Sequence, residues 1–225
     1  MDDRKVDIFQ DNTCHGEDAF LVRELGPGTA MDCVFDGATH CEGAYASGFT
    51  KDILAKGDIE SLDDALALLK QANDVLFNAG RGRNLLTTVA LVFYRQERAS
   101  VLSVGDSAVY LVRDSAITTL TPTRERGELA TLVGGAIGLK HILEHDSTTL
   151  DVQPGDKIVL ATDGLLSNLM DTEVCAALEG SKSASEAVER LRNRFIEKRG
   201  SKMGRDGAYG SFKEDDVTAL VRFVP

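Results

Sequence analysis

Apolar residues recur along the chain in short runs cut by polar turns, with two long stretches of helical spacing near each end. Val6–Phe9 and Ala19–Val22 flank the polar turn Asp11–Gly16, and Ala30–Phe35 runs into Asp36-Gly37; each has strand composition. Glu42–Lys56 places Ala44, Ala46, Phe49, Ile53 and Leu54 on one helix face. A second helix starts at Ser61, a side chain able to cap, with Asp64 in the first favourable turn. It continues through Ala65, Leu66, Leu69, Ala72, Val75 and Leu76 to about Gly80.

The register then changes. Thr87–Tyr94, Ala99–Val104, Ala108–Arg113 and Ala116–Leu120 are β-rich and joined by short polar turns, which predicts an antiparallel meander. Thr121–Asp146 is less regular and holds Gly134-Gly135. Lys157–Ala161 predicts a strand, Leu165 onward a helix, Ala184–Lys198 a further helix, and Val217–Val224 a closing strand. The glycine-punctuated stretch Gly200–Gly210 reads as a loop. Strands, two helices, strands, two helices and one strand make an α+β chain, a sandwich with helices packed outside its sheets.

Composition narrows the partners. The 225 residues carry a net charge of −11, which argues against nucleic acid and against an anionic membrane surface. Apolar residues at 43% and charged ones at 27% describe an ordinary globular chain, read as a single domain over 1–225. No apolar run reaches the roughly 18 residues of a membrane helix, since Thr87 and Thr88 interrupt Leu85–Tyr94. Met1-Asp2-Asp3-Arg4 lacks the layout of a signal peptide. Cys14, Cys33, Cys41 and Cys175 show no CxxC spacing and read as reduced thiols, so the expected location is the cytoplasm. The acidic excess itself has two readings, a solvated surface or carboxylates that gather cations.

Several chemistries lose support at once. The residues six after each cysteine are Phe20, Thr39, Ser47 and Ser181, so no Cys-x5-Arg phosphatase loop exists. GxSxG, HExxH and GxxxxGK[ST] are also absent. What remains is acid at strand ends: Glu17-Asp18, Asp36-Gly37, Asp163-Gly164 and Asp215-Asp216. Taken singly, Asp-Gly is a hairpin signal and an acidic pair protects a sheet edge. Taken together, carboxylates on rigid strand ends suit hard divalent cations, and glycine lets a backbone carbonyl approach closely. Spacing alone does not show that these acids meet.

Six segments in order carry a resemblance: Gly16-Glu17-Asp18-Ala19, Val34-Phe35-Asp36-Gly37, Leu86-Thr87-Thr88, Ser103-Val104-Gly105-Asp106-Ser107, Pro154–Leu165 and Asp215-Asp216-Val217-Thr218. Together they resemble the metal-dependent type 2C protein phosphatases, the PPM family, from about Asp11 to Val224. The resemblance implies a four-layer α-β-β-α sandwich of two antiparallel sheets flanked by helix pairs. It implies hydrolysis of phosphoserine and phosphothreonine in proteins by a metal-activated water, with two Mn²⁺ or Mg²⁺ ions as cofactor and a phosphorylated protein as partner.

Carried over by position, Asp36 would bridge both ions and Gly37 would offer its carbonyl. Asp163 and Asp215 would complete the second ion, and Asp18, with Glu17, would hold coordinated waters. Asp216 ranks below Asp215, and Asp106 reads as structural. Two departures stand out. The family's phosphate-gripping Arg has no counterpart between Asp11 and Asp18, its place being near Thr13. Ala38 stands where many members have His, leaving His40 as the candidate catalytic acid. The basic, glycine-rich segment has two readings, a solvated loop or a lid in which Lys202, Arg205 and Lys213 compensate by binding substrate. Two alternatives stay open: a pseudophosphatase that binds phosphoproteins without hydrolysis, and a sporulation-type PPM phosphatase acting on an anti-sigma antagonist.

Overall fold

The computed structural model describes residues 5–122, 135–205 and 210–225. Residues 123–134 of the irregular stretch, Gly134 among them, and Gly207 of the glycine-rich loop lie outside the described residues. The chain forms β1 (Val6–Asp11), β2 (Ala19–Gly26), β3 (Thr29–Phe35), α1 (Gly43–Lys56), α2 (Leu62–Gly80), β4 (Val89–Arg95), β5 (Arg98–Val104), β6 (Ala108–Arg113) and β7 (Ala116–Thr119). It continues with β8 (Asp146–Asp151), β9 (Lys157–Ala161), α3 (Asp163–Leu166), α4 (Asp171–Leu178), α5 (Ala184–Ser201) and β10 (Val217–Phe223).

Two five-stranded antiparallel sheets result, one ordered β1-β10-β9-β6-β7 and the other β2-β3-β4-β5-β8. Alternate side chains of each strand enter different cores. Ala90, Val92, Val109, Ile158, Leu160 and Leu220 fill the space between the sheets. Val89, Leu91 and Phe93 face the other way, onto Leu54 of α1 and Leu69 and Leu76 of α2. Val159, Ala161, Val217, Ala219 and Val221 face Val174 and Leu178 of α4 and Leu191 and Phe195 of α5. Both faces of the central strands are therefore buried, which is why they read as continuous apolar runs. The four-layer α-β-β-α sandwich stands as expected.

The helices start where their caps allow. Ser61 Oγ accepts the Asp64 N–H at 3.2 Å before α2, and Ser183 Oγ accepts the Glu186 N–H at 3.2 Å before α5. Helix α5 runs three residues beyond Lys198 to Ser201 and closes on Lys202 in the left-handed region, φ 55°.

The expected meander is corrected. The β4–β5 and β6–β7 turns are hairpins, with Gln96, Asp114 and Ser115 at positive φ. The connection between β5 and β6 is not a hairpin, because those strands belong to different sheets. The chain changes sheet at Gly105 (φ +98°), where a Cβ would stand 2.6 Å from Thr88 Cγ2. Sheet two is instead closed by β8, a polar edge strand paired with β5.

Register explains how the site is assembled. Ala19 pairs with Phe35, so Asp18 and Asp36 emerge side by side from one sheet. Ala161 pairs with Ala219, so Asp163 and the Asp215-Asp216 pair emerge at the same end of the other. The Thr162 hydroxyl donates to Asp18 Oδ2 at 2.9 Å and ties the two ends together.

Candidate active site and metal centre

At this end of the sandwich a cleft of about 570 Å³ is lined by Asp36, Asp106, Asp163 and Asp215, with His15, His40, Arg83 and Lys213 around them. The Leu86-Thr87-Thr88 motif positions Asp36 through its backbone: the Thr87 hydroxyl and Thr88 N–H both donate to the Asp36 carbonyl, at 2.9 and 2.8 Å. The Thr88 hydroxyl in turn meets the Ser107 hydroxyl at 2.7 Å. Gly37 is required by close packing, since a Cβ would run into the Gly43 backbone and lie 2.7 Å from the Glu17 carbonyl. Gly164 likewise gives room to the Asp216 carbonyl.

The electrostatics of the cleft are those of crowded acids. Burial, with the charges of Asp18, Asp163, Asp106 and Asp215, pushes the Asp36 carboxyl well above the usual range. Burial also raises Asp18 well above it, opposed by hydrogen bonds from Thr162 and Thr218. Glu17 is raised by burial, against a hydrogen bond from the Thr39 hydroxyl at 3.1 Å. Such a set gains from a cation. One cation is paired with them: Lys213, whose Nζ lies 2.6 Å from Asp163 Oδ2 and 2.9 Å from Asp215 Oδ2. Burial pulls the Lys213 ammonium down, but the charges and hydrogen bonds of Asp163 and Asp215 overcome this and hold it above the ordinary lysine range.

The residues fit hard divalent ions in chemistry: every carboxylate is an oxygen donor and the four share one cleft. Among the described residues no three His, Cys, Asp or Glu side chains stand as a ready-made cage for an ion. The acids of the two sheets are gathered, with a lysine across one pair of them.

The other expected residues divide. Asp216 is buried and its carboxylate accepts the N–H groups of Cys14, His15 and Glu17 at 3.1, 2.9 and 2.7 Å, so it holds the β1–β2 loop. Asp106, expected as structural, lines the cleft. His40 lines it too, at positive φ (67°) and exposed. The three cations of the expected lid are not gathered. Arg205 donates to the Leu166 and Leu169 carbonyls and pairs with Asp171 at 2.9 Å, so its guanidinium is committed to the start of α4. Lys202 is exposed at the end of α5, and Lys213 is held by acids.

Two further residues join the cleft: His15, set aside as a ligand on sequence grounds as part of Cys14-His15, and Arg83, which the sequence reading missed. His15 Nε2 lies 4.0 Å from Asp215 Oδ1. Arg83, from the α2–β4 connection, is exposed and has no acidic partner among the described residues. Nothing local in the sequence marks Arg83.

The family model described as stage II sporulation protein E (SpoIIE) matches residues 43–223. A protein described as probable protein phosphatase 2C 80 of Arabidopsis thaliana is 25% identical over 176 residues, covering 72% of this chain and 41% of that protein. The chain spans about half the length of the curated relatives it matches. The structure of PppA, a regulatory component of the type VI secretion system in Pseudomonas aeruginosa, superposes with a TM-score of 0.80 at 25% identity, covering 97% of both chains. The catalytic domain of the serine/threonine phosphatase PstP, solved with two manganese ions, superposes with a TM-score of 0.76 at 21% identity over 97% of this chain and 96% of that one. The match over residues 43–223 covers most of the sequence, and on it the chain belongs to the SpoIIE family, with the fold of the type 2C (PPM) phosphatases.

Proposed function

We propose that the chain hydrolyses phosphoserine and phosphothreonine in proteins with the help of divalent cations, Mn²⁺ or Mg²⁺, two per site. The observation that carries this reading is the meeting of Asp36, Asp106, Asp163 and Asp215 in one cleft. When bound, the ions would supply Lewis acidity that lowers the pKa of a water, so that hydroxide is available to attack phosphorus, and that offsets the charge of the phosphoryl group. Asp36, Asp163 and Asp215 would hold the ions, with the Gly37 carbonyl as a further oxygen donor and Asp18 and Glu17 in support.

The chain's own side chains do the rest. Arg83 is the cleft's cation without an acidic partner among the described residues, and its planar fork suits two phosphate oxygens. It takes the part that Thr13 cannot play. His40, which lines the same cleft, is the candidate to pass a proton to the departing seryl or threonyl oxygen. The Asp216 carboxylate keeps the β1–β2 loop, and hence Glu17 and Asp18, in place.

The match to the SpoIIE model favours a second reading of the substrate, a phosphorylated anti-sigma antagonist. Both readings predict the same chemistry. Phosphate release from a phosphoserine peptide, measured beside calorimetric Mn²⁺ binding, separates them from a pseudophosphatase. Turnover that disappears in Asp36→Asn supports hydrolysis. Tight Mn²⁺ binding with no phosphate released identifies a regulator that only binds.

A further inference from the structure

Lys213 is set into the cleft by the fold, not left there as a surface arm. The buried Asn168 amide grips its backbone from both sides: Asn168 Oδ1 accepts the Lys213 N–H at 2.9 Å, and Nδ2 donates to the Lys213 carbonyl at 2.9 Å. The same Nδ2 donates to the Gly164 carbonyl at 2.8 Å. Asn168 therefore ties Lys213 to the turn that begins with Asp163. From that anchor the side chain reaches back so that its ammonium bridges Asp163 Oδ2 and Asp215 Oδ2. The two carboxylates are largely shielded from solvent, at 10% and 17% side-chain exposure, while the Lys213 side chain is 36% exposed, so the contact is screened on the lysine side only.

An ammonium and a divalent ion both draw on the negative charge of these carboxylates and cannot share one position between them. We propose that Lys213 is a built-in competitor for the divalent cation at Asp163 and Asp215, neutralising the pair until an incoming ion displaces it. This rests on the reading of those aspartates as metal ligands given above. Two consequences follow from one geometry. The affinity of this site for metal is what remains after the lysine contacts are given up, so Lys213 sets the divalent concentration at which the site fills. The metal-free protein is spared the repulsion of unneutralised acids, because its own cation stands among them. A substrate-binding lysine would do neither.

The test is calorimetric titration of Mn²⁺ into the metal-free wild type, Lys213→Gln and Lys213→Arg, with thermal unfolding of each in EDTA. Removing the competing cation is expected to tighten Mn²⁺ binding about tenfold or more, the scale of a charged hydrogen-bonded contact. Lys213→Arg, which keeps the cation, should bind like the wild type. In EDTA, Lys213→Gln should melt below the wild type and recover when Mn²⁺ is added. Mn²⁺ binding by Lys213→Gln that is unchanged or weaker overturns the proposal and leaves the metal-site reading standing. A metal-free Lys213→Gln as stable as wild type also overturns it. Failure of both wild type and Lys213→Gln to bind Mn²⁺ overturns the metal-site reading together with it.

Discussion

Arg222 and Asp32 form a two-pronged ion pair across the two sheets, Nε to Oδ2 at 2.6 Å and Nη2 to Oδ1 at 2.7 Å. Arg222 belongs to β10 and Asp32 to β3, and both side chains are buried. The guanidinium also reaches Glu24 at 2.9 Å and lies 5.2 Å from the centre of the Tyr94 ring. Burial pushes the Asp32 carboxyl up, and the hydrogen bonds and charge of Arg222 oppose it. Neither charge is tolerable there alone. Arg222→Met or Asp32→Asn should each destabilise the fold by about 3–5 kcal/mol, while a double change to apolar residues should cost far less. Urea denaturation of the two singles and the double measures this; singles that add in the double would contradict it.

Thr87 acts on the cleft at one remove. Its hydroxyl holds the Asp36 carbonyl at 2.9 Å, and Thr87 itself is buried. Thr87→Val keeps shape and β-propensity but removes that donor. Phosphatase activity or Mn²⁺ affinity should fall by about 10–100-fold, as for other groups that orient metal ligands. Far-UV circular dichroism should be unchanged. Full activity in Thr87→Val would show that Asp36 is held well enough by Thr88 alone.

Arg83 and Arg205 make opposite predictions. Arg83→Ala should raise KM for a phosphopeptide by about tenfold or more, the scale of a charge-assisted contact, with Mn²⁺ affinity unaltered. Arg205→Ala should lower the melting temperature and leave KM near wild type, because its donors serve the Leu166 and Leu169 carbonyls and Asp171. A KM effect confined to Arg205 would return substrate binding to the basic segment.

The Glu173 carboxylate on α4 shows how pH enters stability away from the cleft. Burial raises it, but the Met170 N–H, Arg194 and Lys198 outweigh that and leave it below the ordinary glutamate range. A depressed carboxyl stabilises the fold above its unfolded pKa of about 4.3 and loses that contribution as pH falls toward the folded value. The stability gap between wild type and Glu173→Gln should therefore be widest near neutrality and shrink below about pH 4.3. A gap that does not change with pH would assign the loss to packing.

Much of the fold was legible because burial leaves a local trace. The runs Val89–Tyr94 and Ile158–Ala161 are apolar on both faces, and Ser61 marks the start of its helix. What misled was a change of sheet: Gly105-Asp106-Ser107 has the composition of a hairpin turn, and nothing beside it says that β6 joins the other sheet. Strand β8 went unmarked because an edge strand such as Asp146–Asp151, with exposed Ser147, Thr148 and Thr149, has little apolar pattern. In the cleft, motif order pointed to Asp36, Asp163 and Asp215, which share it. The motif ranked Asp216 below Asp215, and the fold supplies the reason: Asp215 faces the cleft while Asp216 holds the β1–β2 loop. The placement of Lys213 against Asp163, fifty positions away, is likewise a tertiary fact.

The most direct measurement is phosphate release from a phosphoserine peptide by the purified protein in Mn²⁺, in EDTA, and in EDTA followed by excess Mn²⁺. Turnover that appears with Mn²⁺, vanishes with EDTA and returns with the ion is the predicted result. Robust turnover in EDTA, or none at any Mn²⁺ concentration that saturates the site, would contradict a metal-dependent phosphatase built on Asp36, Asp163 and Asp215.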